Sequence, residues 1–534
     1  MKLSSTLFFM KRIIAGIALP STLFTGYFAY QAQLPNPYLT NVPSGSIDIS
    51  PPLKTSPFSQ IFGKWVDLIF AYGAAYGRGK LHFKTGGWGN IETVERCTNQ
   101  LKSQSLSTTL TVQDRITEAK KWIPKNEMQW ETDWIEDIKD SGSWHRDGSF
   151  PTPLIHMFGS QATDEMLFEP AQRCHFRYVV PSKTNPSNHP ELFGLTVSPV
   201  ANSSTATTTS SSTTTPSLSS STTSNTGHMP LCIHLPCAGD QFFDWRNRHF
   251  ATPLASKHGI ASLIIEAPSY GKRRRHNRQV RGAQVHRVAD LVVGGLVQIT
   301  ESIALLTWME SYVPAHSKSN FGLCGISMGA EIATLYAAVT PIPTHVVAVM
   351  PAHSAIAIWH EGVLGDVSDW NYLATVMQER KGNNENNGNN GNENNENKNN
   401  GNEDKQKEEE KKKKEKKKKE FKTLHTATEA RNQVVNWLQH TDIQTFAKPY
   451  HWLPQKERPN VLLIGALDDA YIPSASTWKL AQHWSDTANV RWLEGGHCTT
   501  VVFHKKTILS SIVEIFNTKI PSIDAMKQEQ KQKQ

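Results

Sequence analysis

Ser327 stands between Gly325 and Gly329 in FGLCGISMGAEIA, Asp468 and Asp469 open DDAYIP, and His497 closes WLEGGH. A serine hydroxyl is a weak nucleophile until a base takes its proton, and an imidazole does this best when a carboxylate fixes its tautomer. Hydroxyl, imidazole and carboxylate are therefore the parts of an acyl-transfer site. The Gly-x-Ser-x-Gly spacing decides little alone: with Gly and Ser each about 7% of ordinary sequence, chance supplies it somewhere in 534 residues with odds of roughly 0.2. Its weight comes from the elements around it.

Those elements alternate. Cys174 to Val180, Leu231 to Leu235, Ala261 to Glu266, Phe321 to Cys324, His345 to Met350, Asn460 to Gly465 and Val490 to Glu494 are short apolar runs that read as strands. Between them the spacing predicts helices near Arg248 to Lys257, over Val288 to Val313 as an amphipathic helix stopped by Pro314, and over Ala330 to Val339. Two more are predicted near Ser474 to Trp484 and over Thr499 to Thr518. Continuous rather than alternating apolar strands imply a mostly parallel, doubly wound α/β sheet covered on both faces.

Gly-Ile-Ser-Met-Gly then lies between a strand and a helix, where a tight turn crowds the nucleophile's neighbours and needs Gly325 and Gly329. The turn lifts the Ser327 hydroxyl over the carboxyl ends of the strands and aims the Met328 N–H at developing negative charge. The second oxyanion donor is expected in the loop after Leu231 to Leu235. Pro236 has no N–H, so Cys237 or Ala238 must serve, unless the loop is a plain turn. Asp469 is preferred over Asp468 as the orienting acid because it abuts AYIP, with Asp366 or Asp369 as weaker substitutes. The order Ser327, Asp469, His497 is that of the α/β-hydrolase fold. The chemistry requires neither a metal nor an organic cofactor.

Six cysteines without CxxC or Cys/His pairing suit a core better than a disulfide framework or zinc site. The net charge of +8 is partly local, since Lys411 to Lys422 is a lysine run, so no nucleic-acid partner is read from it. Residues 200–227, mostly Ser and Thr, and 381–422, Asn/Gly/Glu then Lys/Glu, lack the apolar content to offset ordering and are expected to be disordered inserts. Residues 1–47 contain no acid and carry the apolar run Ile13 to Tyr30 behind Lys2, Lys11 and Arg12, which reads as an uncleaved membrane anchor. Residues 48–140 form an extension whose aromatic cluster KWVDLIFAYGAAY reads as a surface helix, a membrane-facing element or a packed piece. The hydrolase domain is assigned to 141–519 with a cap region at 352–452, and 520–534 to a disordered tail.

In this order HLPCAGD, EAPSYGKRRR, GISMGAEIA, HEGVL, DDAYIP and WLEGGH resemble the α/β-hydrolase domain-containing protein 18 family, and GSFPTPL with HFRYVVP resembles its opening strands. The chain departs from the family at Pro236 and Cys237, where glycines are usual. The resemblance implies a serine hydrolase of lipid acyl esters, with mitochondrial membrane phospholipid, cardiolipin in particular, as substrate. Lys272 and Arg273 to Arg275 would then meet phosphate at the site's mouth, or form a solvated charge run. A lipid acyltransferase, a thioesterase or peptidase, and a non-catalytic binding protein on the same fold are the alternatives. The expected location is a membrane, with the mitochondrion favoured; the Asn202-Ser-Ser sequon keeps the secretory pathway open.

Overall fold

The structure is a computed structural model that describes residues 57–75, 82–83, 86–106, 112–121, 127–137, 142–181, 185–187, 193, 228–274, 285–316, 320–377, 427–441, 448–485 and 487–517. The anchor segment, both inserts and the tail, with the disorder and membrane insertion expected of them, lie outside the described residues.

Among the described residues ten strands build one sheet: β1 (Gln129–Trp130), β2 (Ile135–Glu136), β3 (Ser143–Pro151), β4 (Arg173–Pro181), β5 (Leu231–Leu235), β6 (Ala261–Ile265), β7 (Phe321–Ile326), β8 (His345–Val349), β9 (Val461–Ala466) and β10 (Ala488–Leu493). Their order across the sheet is β1-β3-β4-β6-β5-β7-β8-β9-β10, with β2 also on β3. From β6 to β10 every pairing is parallel, while β1 to β4 run antiparallel to their neighbours. The crossed order of β5 and β6 is a topological switch point, where ligands of open α/β sheets gather beyond the strand ends.

Every residue of β5 to β9 is buried, because each strand feeds two cores. Ile233, Leu323, Val346, Leu463 and Trp492 point to one face, and their neighbours Cys232, Cys324, Val347, Leu462 and Leu493 to the other. This period-two split, with both faces buried, is why the strands are apolar but for His234, Ser262 and His345 and carry no polar alternation. The first face takes α3 (Asp290–Tyr312) and α4 (Met328–Val339); the second takes the helical run Asp244–His258 and α8 (Lys505–Phe516). Phe516 lies so close over Gly322 that a Cβ there would sit 2.3 Å from the ring.

Helix α3 is not amphipathic in the structure. It is buried from Leu296 through Met309 because α2 (Ile91–Leu106) and the helix Val112–Lys121 cover its outer side. Among the described residues it is the one helix long and apolar enough to cross a membrane, with 83% of its most apolar window buried inside the protein. Such burial is that of a core helix. The predicted last helix is two, α7 (His497–Phe503) and α8, broken at His504, whose ring Nε2 donates to the Glu494 carbonyl, 3.0 Å away. The helix labelled α1 is Pro57–Ala75, α5 is 427–441 and α6 is Ser474–His483. In the expected cap region, Leu373, Ala430, Val434 and Leu438 join the first core.

Candidate active site

The elbow is held by close backbone packing. Ser327 takes φ 57° and ψ −120°, a region side chains avoid, at a cost of about 1–3 kcal/mol that the surrounding packing must offset. Its N–H donates to the Val349 carbonyl at 2.9 Å, and its own carbonyl accepts the N–H groups of Ala330 and Glu331, opening α4. A Cβ on Gly325 would lie 1.9 Å from the Gly329 oxygen, and one on Gly329 about as close as 2.9 Å to the Leu235 oxygen and 3.0 Å to that of Pro236. Those two glycines are what let β7, α4 and the loop after β5 meet. Met328 is the first residue of α4, and Cys237 and Ala238 follow the two carbonyls that pack on Gly329. The loop is tied down by Arg246, which pairs with Asp240 and donates to the carbonyls of His234 and Ile265 at 2.6 and 2.7 Å.

Asp469 follows β9 in a tight turn. Its Oδ1 accepts the N–H groups of Tyr471 and Ile472, both at 2.8 Å, which leaves Oδ2 aimed at His497 Nδ1, 2.7 Å away. The other ring nitrogen, Nε2, lies 2.7 Å from Ser327 Oγ. With Nδ1–H donating to the carboxylate, Nε2 presents its lone pair to the hydroxyl. The three groups, distant in sequence, thus form one chain of hydrogen bonds at the carboxyl edge of the sheet. Tyr471 stacks on the imidazole, with ring centres 4.9 Å apart. Burial disfavours the His497 cation, but the Asp469 charge and hydrogen bond, with the charge of Asp67, outweigh it and raise the pKa above the usual histidine value.

The other acids sit elsewhere. Asp468 is buried and donates its N–H to the Gly495 carbonyl at 3.0 Å, with its charge beside Glu494. Asp366 accepts from the Tyr72 hydroxyl, and Asp369 from the Tyr372 N–H. Arg273 is fully buried in a bidentate pair with Glu301 and donates to the Glu266 and Ala171 carbonyls, so it is structural and faces no phosphate. Lys272 pairs with Glu131. Arg275 lies outside the described residues. Among the described residues no group of three or more His, Cys, Asp or Glu is arranged to hold a metal ion.

One acid at the site has no counterpart in the sequence reading. Asp67, from α1, is fully buried beneath the turn that carries the histidine. Its Oδ2 accepts the N–H of His497 at 2.7 Å and that of Ala470 at 3.0 Å, and its Oδ1 the N–H of Cys498 at 2.8 Å. Burial, then the charge of Asp469, raises its pKa to about 6 against the lowering effect of His497 and the N–H donors. The signal available was a single acid inside KWVDLIFAY, four residues after Gly63 and so on the same helical face.

Solved structures similar to this chain include an acetyl xylan esterase from Paenibacillus sp. R4, at 12% identity and a TM-score of 0.39 over 78% of this chain and 98% of that one. Acetyl xylan esterase 1 from Thermoanaerobacterium sp. JW/SL YS485 is similar at 11% identity and a TM-score of 0.38, over 78% and 98% of the two chains. Est1E from Butyrivibrio proteoclasticus is similar at 13% identity and a TM-score of 0.30, over 54% and 90%. The family model of alpha/beta hydrolase domain containing 18 matches residues 197–518, which hold the elbow, the acid turn and the histidine loop. With that match across more than half its length, on a crossed parallel sheet of this fold, the chain belongs to the alpha/beta hydrolase domain containing 18 family.

Proposed function

We propose that this protein is a serine hydrolase that cleaves acyl esters of membrane lipids, a cardiolipin-type phospholipid being the substrate that the family resemblance favours. The observation that carries the reading is the pair of 2.7 Å contacts joining Ser327 Oγ to His497 and His497 to Asp469. His497 Nε2 takes the Ser327 proton as Oγ attacks the ester carbonyl. The Met328 N–H, with that of Cys237 or Ala238, holds the tetrahedral oxyanion. Collapse sends the proton from His497 to the leaving lipid alcohol and leaves an acyl group on Ser327. A water, deprotonated by the same nitrogen, then releases the fatty acid and restores the hydroxyl.

A lipid-facing role is supported by α1, which turns Trp65, Leu68 and Tyr72 outward while Gly63, Asp67 and Ala71 are buried. The apolar run Ile13 to Tyr30 precedes that helix, so membrane association through an N-terminal anchor, with the mitochondrion favoured, belongs to the same proposal. Subcellular fractionation with glycosidase treatment separates this location from the secretory pathway.

The test is labelling with a fluorophosphonate probe, followed by lipid profiling of cells carrying the protein or its Ser327→Ala variant. Labelling confined to the wild type and accumulation of intact phospholipid in the variant are expected. Equal labelling of both would end the proposal. A supplied lysolipid that captures the acyl chain would instead assign the protein to transfer between lipids.

A further inference from the structure

We infer that Asp67 is a positioning residue of the acid–base pair: its carboxylate caps the histidine's helix and ties the acid turn to it. This rests on the hydrolase reading of Ser327, Asp469 and His497. Helix α7 begins with three N–H groups that lack intrahelical partners, and its N-cap is Gly496, which has no side chain to offer. Asp67 supplies the missing oxygens from 430 residues away in sequence, accepting from His497 and Cys498 together. A carboxylate at a helix N-terminus is also favoured by the helix dipole.

The same Oδ2 that accepts from His497 accepts from Ala470, the residue after the orienting acid. One oxygen thus bridges the two loops, each at a member of the triad or next to one. Backbone contact sets the approach. A Cβ on Gly63 would lie 2.6 Å from the Gly496 nitrogen, and one on Gly496 2.5 Å from the Gly63 oxygen and 2.6 Å from Asp67 Oδ2. Helix α1 therefore rests on the glycine loop without intervening side chains. Gly362 crowds the acid turn from the other side, a Cβ there lying 2.0 Å from the Tyr471 oxygen. None of α1 falls in the segment matched by the family model, which starts at residue 197.

The electrostatics point the same way. The titratable groups facing His497 and Asp67 are Asp469 and Tyr471 from the acid turn, Cys498 on α7, and the Ser327 hydroxyl. Burial first pushes both the Tyr471 hydroxyl and the Cys498 thiol upward, followed for Tyr471 by Cys498 and then Asp67 and Asp469, and for Cys498 by the two carboxylates. The Asp67 charge favours the His497 cation, and its loss must lower the histidine's pKa.

The test is the rate of fluorophosphonate labelling of the full chain from pH 5 to 9, for the wild type and Asp67→Asn. Whichever way the amide is turned, its NH2 faces at least one main-chain N–H, so a hydrogen bond is lost together with the charge. The expected result is a folded variant labelled about 100-fold more slowly, the cost of a displacement of an ångström or so, with the acid limb of its profile moved to lower pH. A variant whose folded fraction is labelled at the wild-type rate, with an unmoved acid limb, overturns the inference even if it melts earlier, because Asp67 would then be structural only. Should Asp67→Asn yield no soluble protein, Gly63→Ala decides: it keeps the carboxylate but forces its helix off the glycine loop. Slower labelling of a folded Gly63→Ala protein is expected, and an unchanged rate overturns the inference. A wild type that takes no label at Ser327 is a different failure, that of the hydrolase reading itself.

Discussion

The two halves of the site are held in different ways. The proposed nucleophile is fixed by its own neighbours: Ser327 sits in a strained turn between β7 and α4, clamped where Gly325 meets Gly329 and where Gly329 meets the loop after β5. The proposed acid and base, Asp469 and His497, ride on two loops after β9 and β10. Their register comes from Asp469 accepting two N–H groups of its own turn, and from Asp67 on a helix at the other end of the chain. Strain placed by packing gives a nucleophile that a local change destroys. Hydrogen bonds placed by a remote helix give an acid–base pair that can be detuned by degrees.

The largest effect should follow from breaking the first half. Gly325→Ala puts a carbon 1.9 Å from the Gly329 carbonyl oxygen, a collision with backbone that cannot rotate away, and should abolish labelling of Ser327. Wild-type labelling of a soluble Gly325→Ala protein would show that the elbow does not depend on that contact. On the second half, Asp469→Asn should lower turnover by about 10,000-fold, since an amide favours the wrong imidazole tautomer; a loss under tenfold would move the orienting role elsewhere.

The pH profile sharpens the contrast. His497 must be neutral to act as base, and its pKa is raised, with burial opposed and outweighed by Asp469 and Asp67. Activity should therefore fall as pH drops through a midpoint above the usual histidine value of 6.5. A midpoint below that value would mean that burial dominates in the free protein. The smallest effect is expected from Asp468→Asn. Its charge lies beside Glu494 while Asp469 holds the imidazole, so turnover should change less than in the other variants. A hundredfold loss there would exchange the roles of the two aspartates.

The sheet and the elbow were legible because they leave marks in residue type. A strand buried on both faces must be apolar throughout, as Leu231 to Leu235 and His345 to Val349 nearly are, and a turn as tight as that at Ser327 admits only small flanking residues. The position of Asp469 against AYIP favours it over Asp468, and it is Asp469 whose Oδ2 meets the imidazole. What escaped reading was recognised by backbone. Asp67 binds N–H groups that every residue but proline carries, so its partners leave no pattern. The aromatic cluster around it is both a surface helix and a packed one, with different faces doing each. β1 and β2, two residues each, are too short for any period to appear. Arg273, in a basic run that suggested a surface, is held in the core by Glu301, a residue of α3 that the apolar pattern passes over.

Asp67 on α1 and His497 on α7 are 430 residues apart in sequence. At a ribosomal pace of about 5–20 residues per second, Asp67 leaves the ribosome roughly 20–90 s before the N–H groups that it binds have been made. A nascent chain can thus complete its nucleophile turn and most of its sheet while still unable to present a base. Asp67 therefore waits for its partners while most of the sheet is being made.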